Sequence, residues 1–162
     1  MWVAKNTNYK HMETGICIRK AIDQDATAVY RLICILENQE FNQAVFEKFF
    51  HANIKDPRNI YLVATINGKV GAFVSCHSQL LLHHLDFVYE IQEMIVDEAY
   101  RGQGLGLGLM KHLEKELHQR NCRCLEVSSN KLREPAHEFY QNAGFNRTHY
   151  KFTKTFESVN AG

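Results

Sequence analysis

The residues whose types and spacing can do chemistry lie between Phe87 and Met110. From Phe87 to Val96, apolar and β-branched residues are mixed with the carboxylates of Glu90 and Glu93, as in a strand that runs through a functional cleft. A short polar link, Asp97 to Tyr100, leads to Arg101, Gly102, Gln103, Gly104, Leu105 and Gly106, which open a helix running to about Arg120. A helix start with uncovered N–H groups and a guanidinium beside it is an anion site suited to a pyrophosphate. Gly106 and Gly108 lie inside that helix, where each costs roughly 1 kcal/mol against alanine. Such a cost implies that something approaches the backbone closely. A Walker loop is excluded, because Lys111 is followed by His112 rather than Ser or Thr. A dinucleotide fingerprint is excluded as well, because position 107 is leucine.

A sheet must carry the acidic strand, and an amphipathic helix must carry the loop. Leu105, Leu109, Leu113 and Leu117, with Met110 alongside, supply that helix's apolar stripe. Upstream, Gly15 to Ala21 alternates as a strand, and Asp23 is the expected N-cap of a helix reaching about Asn38. A second helix is expected from about Asn42 to Ile54. Ile60 to Ile66 and Lys69 to Cys76 are joined by Asn67-Gly68, a strong hairpin signal, and Ser78 to Asp86 is expected to link this hairpin to the acidic strand. Cys122 to Ser128 reads as a strand, Pro135 suits the first turn of a last helix, and Gly144 suits its C′ position. Phe145 to Phe156 is expected to close the sheet as a strand. Residues 1–14 are polar and aperiodic, a tail before a single domain over 15–162 that is long enough to bury one core.

Composition narrows the class. The content is 45% hydrophobic and 23% charged, as in soluble globular proteins. A net charge of +1 gives no electrostatic argument for nucleic acid or an anionic membrane. No apolar run approaches a membrane span or a signal-peptide core. Five cysteines, odd in number and without CxxC pairing, favour reduced thiols and a cytoplasmic location.

The Arg-x-x-Gly-x-Gly loop between strand and helix resembles the pyrophosphate loop of the GNAT superfamily of coenzyme A-dependent N-acyltransferases. A second block about thirty residues later, Glu134 to Phe145 with Phe139-Tyr140 and Gly144-Phe145, looks like that superfamily's late helix. The resemblance covers about residues 15–156. It implies the GNAT fold, an α/β (α+β) domain with a central mixed, mostly antiparallel twisted sheet flanked by about four helices. It also implies acetyl-CoA as co-substrate, with its pyrophosphate on residues 101–106 and its pantetheine arm along the backbone of Met94, Ile95 and Val96. Histone-type members carry a glutamate base eleven residues before the loop's first position, which is Glu90 here. Glu93 corresponds to an acidic position of glucosamine-phosphate-type members, so both stay candidates for the base. Tyr140 matches the phenol that protonates the leaving thiolate. Many relatives have an asparagine seven residues before that tyrosine. Arg133 stands there in this chain and Asn130 ten before, so either is a candidate contact to coenzyme A.

Further likeness, to bacterial aminoalkylphosphonate N-acetyltransferases, runs through Asp25 to Cys34, Asp56-Pro-Arg, His83-His84, Glu90 to Glu93, Ser129-Asn130 and Phe152 to Lys154. It implies a small primary amine as acceptor, an aminoalkylphosphonate, and activity stimulated by a divalent metal, for which His83 or His84 is the candidate ligand. Basic side chains such as Arg58 are the alternative holders of the phosphonate. Homodimers are common in the superfamily, though no stripe here marks an interface. Two other functions fit the same motifs: acetylation of another small amine or a protein amine, and a non-catalytic sensor of acetyl-CoA.

Overall fold

A computed structural model describes residues 15–156; the tail expected over residues 1–14 lies outside them. In chain order the elements are β1 (Ile16–Lys20), α1 (Ala26–Glu37), α2 (Gln43–Lys55), β2 (Ile60–Ile66), β3 (Lys69–Leu81), β4 (Asp86–Val96), α3 (Leu105–Gln119), β5 (Leu125–Val127) and α4 (Glu134–Asn142). The sheet runs β1-β2-β3-β4-β5. Its first three pairings are antiparallel and β4–β5 is parallel, the mixed, mostly antiparallel sheet that was expected. Asn67 and Gly68 both take positive φ, 50° and 79°, the conformation that closes the tight β2–β3 turn.

Both faces of the sheet are covered. Leu109, Met110 and Leu113 of α3 pack on Leu62, Val74 and Ile91. On the other face, Val29, Leu32 and Phe50 of α1 and α2 pack on Val63, Phe73 and Ile95. The period-3.6 stripe of α3 and the period-2 alternation of the strands together dictate this sandwich. No helix among the described residues is long and apolar enough to cross a membrane.

Four expectations change. Asp23 starts a 3-10 turn, Asp23–Asp25, and α1 begins only at Ala26. There Asp25 accepts Arg19 at 2.6 and 2.9 Å, which fixes the turn. Ser78 to Leu81 extend β3 instead of forming a link, because Asp86 to Tyr89 pair with them. The strand expected from Cys122 shrinks to three residues, and the Cys122 thiol instead donates to the Cys124 carbonyl. Phe145 to Phe156 form no strand at all. Aromatic alternation gives that segment the propensity, but strands exist through ladders, and the three residues of β5 offer a short edge. Tyr150, Phe152 and Phe156 stay exposed.

Candidate active site

The two glutamates of β4 depend on a bulge. Plain alternation sends residues 90 and 93 to opposite faces. The β3–β4 register instead pairs His77 with Glu90 and Ser75 with Glu93, with a slip between Ser75 and Cys76 that leaves Gln92 as an extra residue. Ser75 and His77 are two apart on β3 and share a face, so Glu90 and Glu93 share it too. Phe73, two before Ser75, packs against α1 and α2 from that face.

The two carboxylates are held differently. Ser75 is fully buried; its hydroxyl donates to Glu93 Oε2 and accepts the Glu93 N–H at 3.2 Å. Glu90 Oε1 accepts the Ser128 hydroxyl at 2.9 Å, and the Lys151 ammonium stands 4.0 Å away. Tyr61, opposite Ser75, places its hydroxyl 2.8 Å from His77 Nε2. Burial, and then the charge of Glu93, push the Tyr61 phenol well above its ordinary pKa.

Beyond Ile91 the sheet opens. β5 pairs with β4 only over Tyr89 to Ile91. A cavity of about 100 Å³ lies in the gap, lined by Gln92, Glu93 and Met94, by Ser128 and Ser129 after β5, and by Arg133 and Tyr140. The Asp97 N–H donates to Gly71 on the β3 side at 2.8 Å. Alternation therefore turns the Ile95 backbone toward β3 and leaves those of Met94 and Val96 on the open edge. Arg101 Nε donates to the Val96 carbonyl there at 3.4 Å. The Tyr140 phenol is raised by burial, opposed by the nearby Arg133 guanidinium. Arg133 donates to the Leu36 carbonyl at 2.9 Å and to Glu37 at 3.2 Å, which staples α4 to the C-terminus of α1. Asn130 accepts the Leu132 N–H at 3.0 Å and so shapes its own turn.

Further along, Gly102 and Gly104 take left-handed φ of 74° and 83°, and a Cβ at either would meet nothing within 4 Å. Gly104 caps α3, whose first-turn N–H groups have no partner within the helix. Arg101 and Gln103 are exposed, whereas the Leu105 side chain is core. The loop is carried by a braced turn: Asp97 accepts the Ala99 N–H at 3.1 Å and Arg31 at 2.8 Å. Those contacts, the Ala99 N–H first and then Arg31, hold the Asp97 carboxyl below its usual range. Tyr100 packs so close to Gly71 that a Cβ there would lie 2.5 Å from its ring. The two helical glycines have different surroundings. A Cβ at Gly108 would stand 2.6 Å from the terminal methyl of Ile18 of β1, which would have to turn aside, and Gly106 faces Val96 and Phe139 at ordinary contact.

The remaining candidates lie elsewhere. His83 and His84 occupy the tip of the β3–β4 hairpin, with rings 4.4 Å apart. From the last pair of that ladder, Leu81 and Asp86, to His77 and Glu90 is four residues, roughly 13 Å of strand. Among the described residues no group of three metal-ligating side chains exists. Arg58 is engaged by Asp56 at 2.7 and 3.0 Å, and its contacts hold the Asp56 carboxyl down at about 2. A larger cavity, about 250 Å³, lies near Lys20, Asp56 and Arg120, away from both glutamates. The sequence reading missed Ser75, Ser128 and Lys151. Only Ser75 gave a signal, as a polar residue two positions from Phe73 on a buried strand face.

Comparison with known proteins identifies the architecture. The model of the Acetyltransferase (GNAT) family matches residues 19–145. The chain belongs to that family. Over 137 residues it is 39% identical to the aminoalkylphosphonate N-acetyltransferase of Salmonella typhimurium, covering 85% of this chain and 89% of the relative. A crystal structure described as a transcriptional regulator from Bacillus halodurans superposes with a TM-score of 0.79 at 20% identity, over 87% of this chain and 99% of its own. An aminoglycoside 6'-N-acetyltransferase from Acinetobacter baumannii gives 0.75 at 18% identity, over 88% and 99%. At those identities the structural likeness establishes the fold. This GNAT protein is an acetyl-CoA-dependent N-acetyltransferase. Two of its parts fit acetyl-CoA on physical grounds. The bare glycine turn at the start of α3 suits a pyrophosphate, and the edge at Met94 and Val96, beyond the reach of β5, suits an amide-bearing arm.

Proposed function

We propose that this acetyltransferase moves the acetyl group of acetyl-CoA onto the primary amine of an aminoalkylphosphonate, with Glu90 as base and Tyr140 as acid. The observation that carries the acceptor class is the 39% identity, extending over most of both chains, to the Salmonella enzyme of that activity. The mechanism is supported by the bulge at Gln92, which turns both glutamates to one face, and by the serine that occupies Glu93.

Acetyl-CoA supplies an acyl group activated as a thioester. An alkylamine with a pKa near 10 is protonated at neutral pH, so Glu90 takes a proton from its nitrogen. The amine lone pair then forms the C–N bond. The N–H of Met94, on the open edge of β4, is a donor for the oxygen that gains charge. As the C–S bond breaks, Tyr140, kept protonated by burial, gives its proton to sulfur. The nitrogen, which carries one proton too many for an amide, passes that proton to the tyrosinate. Gly102 and Gly104 hold the pyrophosphate, and residues 15–162 act as one domain.

Thiol release from acetyl-CoA, measured with a panel of amines, tests the reading. The expected result is the highest kcat/KM for aminoalkylphosphonates, with an N-acetylated product by mass. Faster turnover of phosphorus-free small amines or of a protein amine would overturn the acceptor assignment. Tight acetyl-CoA binding without thiol release on any amine would mean a sensor.

A further inference from the structure

The base proposed above has a cation for a neighbour. Lys151 Nζ stands 4.0 Å from Glu90 Oε1, beyond hydrogen-bond length, with the lysine 64% and the glutamate 20% exposed. Among the described residues the ammonium makes no hydrogen bond, so its three donors can serve a ligand. The segment from Phe145 to Phe156 carries Arg147, His149, Lys151 and Lys154 and no carboxylate. Among the described residues, the other basic side chains named as phosphonate holders or as neighbours of the cavity are committed elsewhere: Arg58 to Asp56, and Arg133 to Glu37 and the Leu36 carbonyl. Glu93 is held by Ser75.

We propose that Lys151 determines acceptor specificity by receiving the anionic end of a zwitterion whose amine is received by Glu90. The inference rests on the acetyl-transfer reading with Glu90 on the amine side. A carboxylate and an ammonium side by side present two opposite charges about as far apart as those of a short amino acid analogue. A two-carbon spacer puts the nitrogen about 4 Å from the acidic centre, from three bonds of roughly 1.5 Å. Such a zwitterion meets a counter-charge at each end. A neutral alkylamine leaves Lys151 unmatched, and a diamine sets one ammonium against another. A dianion beside Glu90 and Glu93, which share one face of the sheet, would otherwise be repelled by both carboxylates.

The test compares kcat/KM of wild type, Lys151→Gln and Lys151→Arg on three acceptors of matched length: 2-aminoethylphosphonate, β-alanine and propylamine. Wild type should prefer the two anionic acceptors. Lys151→Gln should cut the anionic-to-neutral ratio tenfold to a hundredfold, chiefly through KM, and Lys151→Arg should restore most of it, as expected for a charge-assisted contact. Acetyl-CoA affinity by calorimetry reports whether the variants are folded. An unchanged ratio in Lys151→Gln, or a wild type without preference for anionic acceptors, overturns the proposal. A wild type active on β-alanine but not on the phosphonate, with the ratio still dependent on Lys151, sustains the proposal and overturns the phosphonate reading instead.

Discussion

Around Glu93, β4 is clamped from behind, whereas at Gly102 and Gly104, beyond its end, the chain is bare. The carboxylate is tied to a fully buried serine that itself lies on a strand paired on both sides. The glycines have left-handed backbone and nothing within 4 Å of a notional Cβ. The two regions answer different demands. A carboxylate packed into the sheet beside the proposed base needs a partner of its own, so buried contacts surround Glu93. A loop that grips a pyrophosphate needs its N–H groups uncovered, so side chains are missing from it. Damage to the first region should therefore appear as lost rate or stability, and damage to the second as lost affinity.

Tyr140→Phe should give the largest effect, a ~10²–10⁴-fold loss of kcat with acetyl-CoA affinity retained. Because burial raises that phenol's pKa, the wild-type enzyme should keep its proton donor past the ordinary tyrosine value, and its alkaline limb should lie above about pH 10. A limb that is unchanged in Tyr140→Phe would remove the tyrosine from the chemistry. Gly104→Val should come next. A β-branched residue at φ 83° is strained by about 1–2 kcal/mol, which distorts the loop rather than filling it. Acetyl-CoA affinity should fall about a hundredfold, some 2.7 kcal/mol, with Tm lowered only by the roughly 2–8 °C that this strain implies, because no neighbour is displaced. An unaltered calorimetric Kd would break the contrast between the regions.

Ser75→Ala should do the reverse. It leaves a half-buried carboxylate short of a partner, at a cost of about 1–3 kcal/mol, so Tm should drop while the Kd for acetyl-CoA holds. A variant with wild-type Tm would show that the clamp is not structural. Asp97→Asn sharpens the comparison at the junction between the regions: asparagine still caps the Ala99 N–H, and loss of the charge facing Arg31 should cost about 0.5–1 kcal/mol. Its wild-type carboxyl is held below the usual range. The stability it contributes is therefore present above the unfolded value near 3.9 and is lost as pH falls through the lower folded value. Asp97→Asn should accordingly narrow the gap to wild type in acid, which urea melts at pH 7 and pH 3 would measure.

Much of the fold was legible because it follows from periodicity and turn chemistry. The α3 stripe from Leu105 to Leu117 and the Asn67-Gly68 hairpin needed no long-range information. What was not legible depends on pairing. Glu90-Ile-Gln-Glu93 looks like two carboxylates on opposite faces until β3 imposes a register that extrudes Gln92. Phe145 to Phe156 has a strand's alternation, yet strand character requires a partner edge that local sequence does not reveal. The glycine at 108 raised the expectation of a close approach, and the group that the fold brings there is the Ile18 side chain. The residues proposed for the site, Glu90, Arg101 to Gly106 and Tyr140, were picked out by motif. Ser75, Ser128 and Lys151 come to it from three separate segments, and only folding brings them together.

The central claim is that Glu90 takes the proton while Glu93, its neighbour on the same face, is held by Ser75. The most direct measurement is the pH dependence of kcat/KM for Glu90→Gln and Glu93→Gln at saturating acetyl-CoA, with an aminoalkylphosphonate as acceptor. Glu90→Gln should lose ~10²–10⁴-fold, most severely at low pH, where free amine is scarcest and a base matters most. Glu93→Gln should stay within about tenfold of wild type and keep the wild-type profile. A crippled Glu93→Gln beside a nearly wild-type Glu90→Gln would contradict the account and move the base to Glu93.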